Sequence, residues 1–132
     1  MIKQGSVASD VAVGSATGLE PQFAAAMAYL AGPLSGAIIL QAERSNRFVR
    51  FHAWQAILGL GILGAAAVAF LFLAFGGLFL SPTAFIGFYW LAGITAALWL
   101  VVWARCLFAA FGGTVYKLPF VGDRAERRAL NL

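Results

Sequence analysis

The sequence predicts an all-α membrane protein. Three transmembrane helices are expected, the first one kinked at glycine and proline or else re-entrant, followed by a short amphipathic C-terminal segment. Three observations carry this. Hydrophobic residues make up 62% of the 132 residues and charged residues only 11%, against ~45–50% and ~25% in a typical soluble domain. The few charges are confined: Glu20 and Glu43 bracket 22 residues without Asp, Glu, Lys or Arg, and Arg50 and Arg105 bracket another 54. The run Ala65–Phe75 is apolar without the alternation of a membrane strand. A chain this small has too much surface to hide so large an apolar fraction in water, in line with its mean hydropathy of +0.88. The composition excludes a disordered chain and, with one cysteine, a disulfide scaffold. The net charge of +4 rests on few residues, so nucleic-acid binding is excluded as well.

A membrane-spanning helix needs ~20 apolar residues, because ~30 Å of hydrocarbon is crossed at ~1.5 Å per residue. The chain therefore divides into a polar N-terminal tail over 1–20, a single helical transmembrane domain over 21–112 and a basic tail over 113–132. The first span runs near Gln22–Ala42, with Gly32-Pro33 at its centre as the kink or the point of re-entry. A basic loop, Glu43–Arg50, follows. The second span, near Phe51–Leu80, is longer than the membrane is thick, and the mixture of Phe48, Phe51 and Trp54 with Arg47 and Arg50 predicts an interfacial start. Gly76-Gly77 and Ser81-Pro82 mark a turn, with the break at Ser81-Pro82 because proline disfavours helix before it. The third span runs near Phe85–Phe111. Beyond Pro119, the spacing of Asp123 and Glu126 resembles a capping box, and Arg124, Arg127 and Arg128 with Ala125, Ala129 and Leu132 form an amphipathic pattern suited to an anionic leaflet.

Charge position sets orientation. Arg44, Arg47 and Arg50 crowd the first loop, and Lys117, Arg124, Arg127 and Arg128 crowd the C-terminal tail, whereas the turn at 81–84 carries no charge. The positive-inside rule places the loop and the C-terminus in the cytoplasm. Three spans then put the N-terminus, with Lys3, Asp10 and Glu20, outside; a hairpin first segment would keep it inside.

Few residues bear chemistry. Ala28, Gly32 and Gly36 recur every four residues, as do Gly61, Ala65 and Ala69, and small residues at that spacing let helices pack closely, within the chain or in a dimer. His52 is the only histidine; it belongs to the interfacial belt with Trp54 and Gln55, or it is an axial ligand to a chlorin or haem. A lone histidine and a lone Cys106 fall short of a zinc site. Arg105 is expected to snorkel from the third span to the headgroups, with Glu43 as a partner. Arg47, Arg50, Trp54, Arg105 and Lys117 are the interfacial anchors. No carboxylate lies in any span, which disfavours ion-coupled transport. No base is placed beside a nucleophile, which disfavours hydrolysis.

The stretch Met27-Ala28-Tyr29-Leu30-Ala31-Gly32-Pro33-Leu34-Ser35-Gly36, then Glu43-Arg44-Ser45-Asn46-Arg47-Phe48-Val49-Arg50-Phe51-His52-Ala53-Trp54-Gln55-Ala56, resembles a family of small bacterial multi-pass membrane proteins. That family is similar to the small membrane subunit of the chloroplast Tic translocon. The ending Tyr116-Lys117-Leu118-Pro119-Phe120-Val121-Gly122 shares the likeness, which covers roughly Ala24 to Arg127. The resemblance implies a bacterial inner-membrane protein associated with translocation or membrane assembly. The expectation is thus a non-enzymatic membrane protein with no cofactor, a structural, assembly or translocation-associated subunit whose partners are the lipid bilayer, other membrane subunits or its own copies. The alternatives are an accessory subunit binding a pigment or haem through His52, and an oligomeric passive channel.

Overall fold

The computed structural model describes residues 7–131; Lys3, counted in the N-terminal tail, and Leu132, counted in the amphipathic C-terminal pattern, lie outside them. A 3-10 turn at Ser9–Ala12 leads to α1 (Pro21–Met27) and α2 (Pro33–Ala42). One long continuous helix follows, made of α3 (Arg47–Gln55), a π-helical turn (Ala56–Leu60) and α4 (Gly61–Gly77). It doubles back at residues 78–81 into α5 (Pro82–Phe111), and α6 (Gly122–Leu130) closes the chain. The described residues contain no strand. Two of the described helices, Arg47–Gly77 and Pro82–Phe111, are long and apolar enough to cross a membrane. The expectation of three spans is corrected to two.

The first apolar segment does not span. Gly32 takes φ 60 and ψ −130 ahead of Pro33, a region essentially restricted to glycine, and the chain reverses there. Helices of seven and ten residues reach only ~10 and ~15 Å, short of ~30 Å of hydrocarbon. The reversal is stitched by Ser35, whose Oγ accepts from Ala31 N at 2.9 Å and shares its proton between the carbonyls of Ala28 and Gly32 at 2.9 and 3.1 Å. Trp103 Nε1 donates to Tyr29 O at 2.8 Å, and a Cβ on Gly32 would stand 3.1 Å from the Trp99 ring. Trp99 lies twelve residues before the end of α5, so the bend sits about 18 Å below that end.

Both limbs of α1–α2 open at the same end of the molecule. Glu43, just past α2, accepts hydrogen bonds from Ser15 Oγ and Ala16 N, ahead of α1. Asn46 Nδ2 donates to Asp10 O and Val13 O at 2.8 Å each, and Arg47 N donates to Asp10 Oδ2 at 2.9 Å. A Cβ on Gly113, just past α5, would meet the Gln22 side chain at 2.6 Å. The N-terminal segment, the arginine loop and the start of the C-terminal tail therefore gather at one end. The turn-back at Gly32 matches the re-entrant alternative for the first segment.

The remaining helix boundaries follow local rules. Ser81 caps α5, its Oγ accepting from Ala84 N, with Pro82 in the first turn, at the break that the sequence predicts. Gly77 lets the hairpin close, since a Cβ there would lie 3.1 Å from the Ala84 backbone. Asn46 caps α3 through Val49 N. The first turns of the long helix are covered by the chain itself: Phe48, Val49, Phe51, His52 and Ala53 are buried among protein.

Buried residues concentrate in this head, from Tyr29 and Phe48 to Cys106 and Ala129. The distal hairpin is nearly bare. Phe72, Phe79, Leu80 and Trp90 face outward, with Phe79 91% exposed, and Ala74, Gly77 and Ala92 are the buried residues of that region. The α6 helix forms as expected, but its buried face, with Ala125 and Ala129, packs on α3 rather than on a leaflet. The expected cap by Asp123 is absent: Val121 precedes the helix and no side chain caps it.

Gly32→Ala should destabilise the protein by about 1–3 kcal/mol, because an L side chain is strained at that φ and ψ and meets Trp99. Unfolding in detergent, with Gly14→Ala as the open-space control, measures it; equal stability of the two variants would refute the reversal at Gly32.

Candidate functional site

The α3 helix turns Phe48, Phe51, His52 and Gln55 inward, and three other segments meet them. The bend supplies Tyr29, α5 supplies Cys106, and the linker to α6 supplies Tyr116–Leu118. His52 is fully buried, with the rings of Phe48, Phe51 and Tyr29 set edge-on at 4.6, 5.1 and 5.7 Å. Gln55 Nε2 lies 3.3 Å from Tyr29 Oη, which lies 2.9 Å from His52 Nδ1. Donation along that chain leaves Nδ1 as an acceptor and the imidazole proton on Nε2. The Nε2 atom is buried and closes no hydrogen bond of good geometry.

Gln55 is the more connected residue. Its Nε2 donates to Tyr116 O at 2.8 Å and its Oε1 accepts from Leu118 N at 3.1 Å. One side-chain amide thereby pairs with the backbone on both sides of Lys117, as a neighbouring strand would, and satisfies a linker that passes through apolar surroundings. The π turn follows directly. Its Gly59 admits Leu118, whose Cδ1 would lie 2.7 Å from a Cβ there, and Trp99 Nε1 donates to Leu60 O at 2.9 Å.

A second polar centre lies at Glu43, which has no exposed surface. Its Oε1 accepts from Ser45 N, Ser45 Oγ and Asn46 N at 2.9–3.0 Å, and its Oε2 from Ser15 Oγ and Ala16 N. Burial alone would raise its pKa, but the hydrogen bonds from Asn46, Ser15 and Ser45 outweigh it and hold the carboxyl at about 2. Arg105 is not its partner. Arg105 is exposed and stacks over the Tyr116 ring, 5.1 Å from its centroid. Arg50 is the arginine that reaches Glu43, through the main-chain carbonyl at 3.0 Å.

The other predicted residues separate. Ala28 and Gly36 are buried, but the break at Gly32 prevents a common face. Gly36 packs on α3 and the π turn, where a Cβ would come 2.9 Å from Ala53 O. Gly61 touches Pro33, whereas Ala65 and Ala69 are exposed, so that stripe does not build the chain's own packing. Trp54 is half-buried under Arg128, 4.7 Å from the ring centroid. Lys117 is paired within the chain, to Glu126 at 2.7 Å and Asp123 at 3.5 Å, and hydrogen bonding to Glu126 raises its pKa. Arg47 and Arg50 are half-buried at the head. Among the described residues no group of three or more His, Cys, Asp or Glu could hold a metal.

Similarity to other proteins follows the length of this architecture. A UPF0132 membrane protein of Archaeoglobus fulgidus is 30% identical over 110 residues, which is 83% of this chain and 96% of the relative. Two UPF0132 membrane proteins of Methanocaldococcus jannaschii are 29% and 33% identical, covering 83% and 85% of this chain and 89% and 72% of their own lengths. The chain belongs to the UPF0132 membrane protein family. No family model and no solved structure matches it. The family name supports a membrane location and states no activity, and these relatives are archaeal.

In this UPF0132 chain the hub residues Tyr29, Glu43 and Gln55 were not apparent as a site from composition. Their one sequence signal is that they fall within Met27–Gly36 and Glu43–Ala56, the stretches quoted above for a resemblance.

Two outcomes are expected. Glu43 contributes stability that is fully present above about pH 4.5 and is lost as pH falls through about 2, worth up to about 3 kcal/mol. Glu43→Gln should remove that acid dependence, because an amide does not titrate, and should lower stability, because it sets an N–H donor against groups that already donate; an unchanged acid limb in a pH series of unfolding curves would refute it. Gln55→Leu should cost roughly 2–4 kcal/mol by leaving the Tyr116 carbonyl and the Leu118 amide unpaired. Limited proteolysis should then cut at Arg124 or Arg127 sooner than in the parent chain.

Proposed function

We propose that the protein is a non-enzymatic membrane subunit, a two-span hairpin that docks against a helix of a larger helical membrane assembly of the translocation or membrane-assembly kind. The observation that carries the reading is the outward face of the hairpin. A groove of about 580 Å³ runs between α4 and α5, floored by small residues such as Ala67, Gly93 and Ala97 and flanked by Tyr89 and Trp90. Small residues at a helix surface permit the close approach on which helix association in lipid depends. The polar residues of the head support the reading too, since their hydrogen bonds join segments of this chain to one another.

In this reading the re-entrant α1–α2 pair, the arginine loop and both termini face the cytoplasm, and the turn at 78–81 faces the other side. Cysteines placed at Leu19, Asn131 and Phe79 of the full chain test this: an impermeant thiol reagent added to intact cells should label Phe79→Cys alone. Labelling of Leu19→Cys but not Asn131→Cys would restore an odd number of crossings. A photo-crosslinker at Ala97 in native membranes should give a discrete adduct with another membrane protein, reduced by Gly93→Leu. Lipid adducts alone would overturn the subunit reading.

A further inference from the structure

The end of α2 and the start of α3 enclose a second hollow, of about 460 Å³, lined by Leu40, Gln41, Arg44 and Arg50. It holds two guanidinium groups and no carboxylate, because the Glu43 side chain turns away to Ser15, Ser45 and Asn46. Arg50 is steered by one bond, Nη1 to Glu43 O, while its Nε is buried without a partner. Arg44 is exposed and makes no hydrogen bond or ion pair among the described residues. Two cations thus line one hollow that has no carboxylate in its lining. Immediately below them the outer face of α2 is apolar and uncovered: Leu34 and Ile38, one helical turn apart, are 72% and 67% exposed.

We infer that this hollow is a binding site for a single anionic phospholipid, with the phosphodiester held between Arg44 and Arg50 and an acyl chain laid along Leu34 and Ile38. The chemistry matches at both ends. Guanidinium groups bind phosphate oxygens by paired, charge-assisted hydrogen bonds, and an apolar strip leading down from the charge suits a hydrocarbon tail, which a free phosphate lacks. The depth is right as well, since α2 descends ~15 Å from the head, about the length of one leaflet's hydrocarbon. The inference rests on the membrane reading and not on the docking groove, which lies on the other helices.

The test uses the full chain in detergent, titrated separately with phosphatidylglycerol, phosphatidylcholine and inorganic phosphate, with bound lipid counted by native mass spectrometry. The parent chain should retain one phosphatidylglycerol that phosphatidylcholine and inorganic phosphate do not displace. Arg44→Gln should weaken retention about fivefold, and the Arg44→Gln, Arg50→Gln pair about tenfold or more. Arg124→Gln with Arg127→Gln removes the same charge from exposed positions of α6 and should change retention little. Leu34→Gln with Ile38→Gln should weaken phosphatidylglycerol binding while leaving the arginines in place. Equal retention in the Arg44 variant, equal loss in the α6 variant, or displacement by inorganic phosphate would each overturn the site. Arg44 makes no hydrogen bond or ion pair among the described residues, so its single variant decides the matter even where the pair fails to fold. Failure of the membrane reading would show separately, as release of the parent chain from membranes by alkaline carbonate.

Discussion

A backbone group that leaves its helix in apolar surroundings must find another partner, because an unpaired amide or carbonyl costs several kcal/mol there. The architecture of this protein is arranged around two places where that happens. At the α1–α2 reversal, Ser35 and the indole of Trp103 take up the freed groups of Ala28, Tyr29 and Ala31. At the π turn the indole of Trp99 meets Leu60 O. The two indoles lie nearly parallel on one face of α5, with ring centroids 6.5 Å apart. One helix thus carries both polar tips needed to stabilise irregularities in two others, and its tryptophans are structural donors before they are anything else.

The scarcity of charge takes on a second meaning in the fold. The carboxylates of the head are consumed in joining segments: Glu43 ties the N-terminal segment to the loop, Asp10 meets the start of α3, and Glu126 holds Lys117. The arginines are left over. Arg44, Arg124 and Arg127 stay exposed at the same end, so positive charge predominates on that surface while Glu43 and Glu126 are buried. A positive rim at one end of an apolar hairpin is the pattern that both orientation and anionic-lipid attraction call for.

Much of the fold was legible in the sequence where one-dimensional spacing decides it. The long uncharged stretch, the Ser81-Pro82 break and the helical tail all follow from residues close to the features they create. The reversal at Gly32 was legible only as an alternative, because Gly-Pro is compatible with a kink or a turn, and the contacts that decide between them come from Asp10, Ser15 and Ala16. The stripe at Gly61, Ala65 and Ala69 has a small-residue pattern, but which way it faces depends on where α5 settles, and α5 meets α4 through Ala74 and Gly77 instead. Gln55 and His52 looked interfacial because they adjoin Trp54 and Arg50. They are buried because α6 and its linker fold back over α3, a distance of some sixty residues that no local pattern spans.

The protein consequently has two regions under different rules. In the head, polar side chains replace missing backbone partners, so one substitution at Tyr29, Glu43 or Gln55 strands several groups at once, and the effects couple. In the distal hairpin, helix α4 is hydrogen-bonded within itself, and outward residues such as Phe72 and Phe79 are largely exposed. What constrains those positions must come from outside the chain, through lipid or a neighbouring helix. The small floor of the groove between α4 and α5 is the part of that surface where size matters, since lipid accepts a leucine in place of Ala97 and a closely packed helix does not.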